Sequence, residues 1–173
     1  MNKKISLFIV IAILSAAIGV YIGSKRMAPI AASSQAAIQL MQTSLPDIQE
    51  QTHQLSEWKG KILLVNFWAP WCPPCVAEMP ELVSLQNELA AKNLQIVGIG
   101  IDSRSNIKQF SEKHQITFPL LIAGMQGAEL SRELGNQAGG LPFTVLLDSQ
   151  GQVRQTYLGK LDMKKLRTDI AGL

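Results

Sequence analysis

Cys72 and Cys75 are the only cysteines in this 173-residue chain, and they stand two residues apart inside Trp71-Cys72-Pro73-Pro74-Cys75. Thiols at this spacing close into a small disulfide ring when a turn holds their Cα atoms within about 4.4–6.8 Å. The apolar run before them reads as a strand and the periodic run after them as a helix, and a strand-to-helix junction supplies that turn. The chemistry such a pair performs is thiol–disulfide exchange: a thiolate attacks a disulfide sulfur, a mixed disulfide forms, and the second thiol resolves it.

The first cysteine must be exposed and must have a useful thiolate fraction. If Cys72 caps the helix, the free N–H groups of the first turn and the positive end of the helix dipole favour its negative charge. Cys75, one turn further and more buried, is then the resolving thiol. Pro73 and Pro74 carry no N–H, so the cap offers Cys72 fewer donors and the thiolate is only moderately stabilised. Because stabilising the reduced form makes a dithiol oxidising, a weak cap points toward a reductant. Glu78 lies three residues beyond Cys75 on the same helix face. Its spacing fits two readings equally, a proton acceptor for the resolving thiol and a surface glutamate favoured by the helix dipole.

The elements that must hold these residues follow from periodicity. Residues 62–68, Ile-Leu-Leu-Val-Asn-Phe-Trp, form a nearly continuous apolar run suited to a central strand covered on both faces. Residues 74–91 have helical spacing, with Pro80 expected to kink them. A second buried strand is predicted over 94–101, a helix over 105–113, a strand over 118–122 and a short helix over 126–134. Strands over 143–147 and 152–158 flank Asp148-Ser149-Gln150-Gly151, a hairpin turn, and a helix over 161–171 closes the chain. Before the central strand, 45–54 reads as polar and irregular, and Ser56 caps a single turn ended by Gly60. Strands alternating with helices and ending in a hairpin argue for an α/β mixed sheet with helices on both faces.

The N-terminus has a different composition. Lys3 and Lys4 precede an uncharged stretch from Ile5 to Gly23, long enough as a helix to span about 28 Å, close to a bilayer's apolar thickness. Residues 1–23 therefore read as an uncleaved signal-anchor, 24–43 as an Ala-, Ser- and Gln-rich linker with a weak helix over 31–42, and 44–173 as the folded domain. No cysteine follows the apolar run closely enough for a lipid anchor. Paired cysteines on a tethered domain belong outside the cytoplasm, where thiols are not held reduced. The formal net charge of +3 comes from scattered basic residues and excludes a nucleic-acid footprint. His53 and His114 have no ligand pattern around them and read as solvent-facing, and no metal or cofactor is expected.

Residues 45–173 resemble the thioredoxin superfamily, and within it the membrane-anchored TlpA-type thiol-disulfide oxidoreductases. The resemblance rests on Asn66-Phe67-Trp68-Ala69-Pro70-Trp71-Cys72-Pro73-Pro74-Cys75, Glu78-Met79-Pro80, Gly98-Ile99 to Asp102, Phe118-Pro119, and Gly140-Leu141-Pro142-Phe143-Thr144. It implies a thioredoxin-like fold and a functional glutamate at Glu78. It also implies a cis peptide bond at Leu141-Pro142, facing the disulfide, with Leu141 touching the substrate. Trp71 is expected to cover the exposed sulfur, whereas Trp68 is more simply read as core. Asn66 stands where many thioredoxins carry a buried aspartate, and an amide cannot serve as that base. This departure leaves Glu78 as the titrating substitute.

The family further implies a monomer on the bacterial inner membrane, single-pass, with its C-terminal domain in the periplasm or its equivalent. Its partners would be an exported disulfide-containing protein, apocytochrome c first among them, and a membrane electron-donor thiol oxidoreductase. Two rivals are weaker. A thiol peroxidase resembles a Thr-x-x-Cys site, but Ala69 stands at that position. A Cu(I) carrier would rest on the two thiolates alone.

Overall fold

The computed structural model describes residues 34–173. The expected anchor over 1–23 lies outside the described residues, and among the described residues no helix is long and apolar enough to cross a membrane.

A five-stranded sheet carries the domain, built around β3 (Ile62–Trp68), in which every residue after Ile62 is buried. On one side β3 pairs in parallel with β4 (Leu94–Gly100), which pairs in parallel with β5 (Leu120–Ile122). On the other side it pairs antiparallel with β6 (Phe143–Leu147), which pairs antiparallel with β7 (Val153–Leu158). The sheet order is therefore β5-β4-β3-β6-β7. This is the mixed sheet expected from the alternating pattern. The turn between β6 and β7 closes on Asp148, whose Oδ1 accepts from the N–H groups of Gln150 and Gln152.

Successive side chains of β3 point to opposite faces, and each face has its own core. Leu64 and Trp68 meet α2 (Pro73–Leu89), α3 (Arg104–His114) and α5 (Met163–Ala171) through Met79, Leu82, Leu85, Phe110 and Leu166. Leu63, Val65 and Phe67 meet Leu130 of α4 (Gly124–Glu133) and the N-terminal elements. By this alternation Asn66 shares the face of Leu64 and Trp68, under α2. The chain packs tightly there. A Cβ placed on Gly98 would come within 2.6 Å of Leu120 and 3.0 Å of the Trp68 indole nitrogen, so the fit of the buried indole depends on glycine.

Two segments differ from expectation. The weak helix expected over 31–42 within the linker is present as α1 (Ser34–Gln42), but it is part of the domain and not of a free linker, burying Ala36, Ala37 and Leu40. Ala36 and Leu40 are one turn apart and pack with Leu45, Leu55 and Leu63, so contact with the domain orders a sequence of weak intrinsic periodicity. Residues 44–54, read as irregular, form a small hairpin of β1 (Ser44–Pro46) and β2 (Thr52–Gln54), joined to the main sheet through an Asp47–Leu121 bridge. Ser-Leu-Pro and Thr-His-Gln are short and largely polar, unlike the apolar Leu-Leu-Ile of β5, and give no strand pattern. Helix α2 runs through Pro80, as expected from the spacing over 74–91, with its apolar face held by the core.

Candidate active site

Strand β3 delivers the chain to the tight turn Ala69–Cys72, where Cys72 N–H donates to Ala69 C=O at 3.1 Å and α2 begins. Cys72 is the N-cap, with extended backbone angles, and Pro73 and Pro74 occupy the first helical positions. Their fixed φ suits a first turn, and their missing N–H groups leave Cys72 Sγ one backbone donor, Cys75 N–H at 3.3 Å. Cys72 and Cys75 are joined as a disulfide, with Cα atoms 5.3 Å apart.

Cys72 was expected to be exposed, and here the structure corrects the sequence: the residue is only 4% exposed and Cys75 is fully buried. In the disulfide form the outer sulfur is drawn into the ring and against the first turn of α2. Trp71 does stand out, 64% exposed, while Trp68 is fully buried and tilts against Phe110 with ring centroids 4.8 Å apart. The Leu141-Pro142 bond is cis, with Leu141 half-buried and Pro142 buried. Beside Trp71 a groove of about 660 Å³ runs between α2 and α3, lined by Pro70, Val76, Asp102, Phe110 and His114 among others.

The inner side of the site is polar and sealed. Glu78 is fully buried one turn beyond Cys75, which excludes the surface-glutamate reading. Its Oε1 accepts from Asn66 Nδ2 at 2.8 Å and its Oε2 from Leu161 N–H at 3.0 Å. Burial pushes the Glu78 carboxyl above the ordinary carboxylate range. The Leu161 and Asn66 donors and the Lys160 charge oppose that shift, and Glu81 adds to it. Burial thus favours the protonated acid, while both of its hydrogen-bond partners are donors that favour the carboxylate.

Sequence reasoning named Asn66 and Glu78 but missed two of their partners. Thr144 Oγ1 accepts the second Nδ2 hydrogen of Asn66 at 3.0 Å. The signal was a lone polar residue in the buried run Phe-Thr-Val-Leu-Leu of β6, but only the register, which sets Thr144 opposite Asn66, shows what it meets. Leu161 contributes a backbone N–H, which no side-chain motif could reveal. Asn66 Oδ1 and Trp68 Nε1 are buried with no hydrogen-bond partner.

His53 also departs from its solvent-facing reading. Its Nδ1 lies 3.0 Å from Glu57, its Nε2 3.2 Å from Asp47, and its ring stacks on Trp58. The Glu57 hydrogen bond, with Asp47 adding to it, raises its pKa. The hairpin that brings Asp47 and His53 together was not legible beforehand. His114 is exposed and stacks on Phe110 at 4.2 Å.

The redoxin family model matches residues 19–170. The thiol:disulfide interchange protein DsbE of Pseudomonas aeruginosa is 38% identical, over 75% of this chain and 69% of its own. The thiol-disulfide oxidoreductase ResA of Geobacillus thermodenitrificans is 27% identical, over 75% and 72%. Among solved structures, a thiol:disulfide interchange protein of the thioredoxin family from Chlorobium tepidum superposes with a TM-score of 0.65 at 27% identity, over 75% of this chain and 91% of its own.

Proposed function

We propose that this chain, which belongs to the redoxin family and is a thiol-disulfide oxidoreductase, works outside the cytoplasm as a reductant of exported proteins. The observation that carries the reading is the buried Glu78 carboxyl behind a Cys-Pro-Pro-Cys cap with a single backbone donor. In the reduced enzyme the Cys72 thiolate attacks a client disulfide, forming a Cys72–client bond and releasing one client sulfur as a thiolate. Glu78 takes the Cys75 proton, and the Cys75 thiolate attacks Cys72. The Cys72–Cys75 bond forms, the Cys72–client bond breaks, and the second client thiolate leaves and is protonated. Two electrons pass to the client.

Trp71 and Leu141 receive the client, and the groove beside Trp71 has room for a peptide segment. Pro142 C=O already accepts from Gly159 N–H at 2.8 Å, so pairing with client backbone falls to Leu141. Residues 1–23 anchor the protein in the inner membrane, a membrane thiol oxidoreductase returns the electrons, and apocytochrome c is the leading client. The names of the relatives support thiol-disulfide exchange, and the resemblance to membrane-anchored TlpA-type proteins supports the anchor, the electron donor and the client.

The test is the reduction potential of the Cys72–Cys75 couple in the full chain, equilibrated against dithiothreitol or glutathione and followed by tryptophan fluorescence. A potential at or below about −220 mV is expected of a reductant with a dedicated electron supply. A value above about −180 mV would make the protein a disulfide donor and end the reductant reading.

A further inference from the structure

We propose that Gly159 is a positioning residue for proton transfer at this site: its left-handed backbone aims the Leu161 N–H at Glu78. The inference rests on the reading of Glu78 as the proton acceptor of Cys75. Gly159 directly follows β7 and has a φ of +85°, in the left-handed region. A Cβ placed on it would meet nothing within 4 Å. No close contact asks for glycine there, so the backbone angle alone does.

Two hydrogen bonds show what that angle achieves. Gly159 N–H donates to Pro142 C=O at 2.8 Å, in the loop that receives the client, and Leu161 N–H donates to Glu78 Oε2 at 3.0 Å. The first donor lies before the φ rotation of Gly159 and the second after it, so this angle sets the direction of one against the other. In the same turn the chain passes from exposed Leu158 to Leu161, buried in the core that holds Met79 and Leu82. Asp162 then caps α5 by accepting from the N–H groups of Lys164 and Lys165. With β7 holding one end of the turn and this cap the other, a change of φ at Gly159 falls on the peptide groups of Lys160 and Leu161.

A backbone N–H can only donate, so the Leu161 group favours the carboxylate however the rest of the cage is arranged. An L side chain at Gly159 disfavours the left-handed angle, and relaxation to negative φ turns the Leu161 N–H away. Glu78 then keeps its burial and its Asn66 partner but loses one donor. The proton is bound more tightly, and the carboxyl becomes a poorer base at neutral pH. The charged groups that face Glu78 are Lys160, on the same turn, and Glu81 of α2, and these two pair with each other at 3.2 Å.

The experiment is a pH titration of the Glu78 side-chain carboxyl by 13C NMR in the reduced full chain, its signal assigned by its loss in Glu78→Gln. Gly159→Ala should raise the midpoint by about one pH unit, a tenfold gain in proton affinity, and Gly159→Val at least as far. Gly159→Asn, whose side chain tolerates the left-handed region, should stay closer to wild type than either. The shift should persist in about 0.5 M salt, which screens the half-exposed Lys160–Glu81 pair but not a buried hydrogen bond. Gly60→Ala is the control for backbone strain alone: Gly60 has a φ of +94° and open space at its Cβ, and it lies at the end of β3 opposite the cysteines. That variant should lower the melting temperature and leave the midpoint where it was. An unmoved or lowered midpoint in whichever of the Ala and Val variants at Gly159 folds overturns the proposal. So does an Asn variant that shifts as far as they do, a shift that salt removes, or an equal shift in Gly60→Ala. The catalytic reading of Glu78 is tested apart, by the rate at which Cys75 resolves a mixed disulfide in Glu78→Gln. The two can therefore fail independently.

Discussion

Glu78 and His53 both hold a proton more readily than their model compounds, for opposite reasons. Glu78 does so because burial penalises its charged form against the donors of Leu161 and Asn66. His53 does so because Glu57 and Asp47 favour its charged form at the protein surface. The first arrangement keeps a charge in a sealed cage where a neighbouring thiol can exchange a proton with it. The second ties a hairpin edge to a short helical turn and touches no reacting group. A raised pKa therefore marks a functional group here only where it coincides with burial beside the cysteines.

The largest effect that could break this contrast is on turnover. Glu78→Gln should slow resolution of the mixed disulfide at neutral pH by about 100-fold, the lower range for loss of a positioned acid or base. His53→Gln should leave that rate unchanged. Stopped-flow release of a client thiol from a Cys72-linked mixed disulfide reads both, and equal losses would erase the distinction.

A second effect is on stability against pH. The folded pKa of Glu78 is raised, so its contribution is present below the carboxylate's unfolded value and is lost as pH rises through the folded value. Urea unfolding of the oxidised protein between pH 4 and 8 should show this decline, and Glu78→Gln should flatten it. An unchanged slope in the variant would assign the decline to other groups. The folded pKa of His53 is raised too, so its contribution has the same sign but a higher window. It is present below about 6.5 and fades as pH rises through its folded value.

The smallest effect is the size of that surface contribution. His53→Gln should lower the melting temperature at pH 5.5 by at most about 4 °C, as expected for exposed ion pairs in a domain of this length. About 0.5 M salt should remove most of the difference. A larger, salt-resistant loss would show that the cluster is a structural clasp and not a screened surface pair.

Much of the framework was legible because it depends on local pattern. The apolar run of β3, the helical spacing of α2 and the turn at Asp148–Gly151 predicted the central strand, the active-site helix and the terminal hairpin. The short β1 and β2 strands were not legible, because three largely polar residues carry no apolar pattern, whereas the equally short β5 was marked by its apolar run. Helix α1 was expected as a weak helix within a linker, and its docking was not legible because its Ala-rich face gains its stability from the domain it covers. At the site, Cys72, Cys75 and Glu78 were named from spacing and resemblance. Thr144 and the Leu161 N–H were not, because their partners lie 78 and 83 residues away in the chain.

The order of residues alone determined the thiol pair, its place at a strand-to-helix junction and the two prolines that thin out its donors. These depend on chemistry within a few bonds and on helix geometry. Tertiary structure decided that Glu78 is buried, that Asn66 meets it, and that Thr144 accepts from the same amide, since each requires strands and helices distant in sequence to register against one another. Burial, unlike residue type, is a property of the assembled sheet and its covering helices. Here burial sets the proton affinity of the carboxyl behind the disulfide.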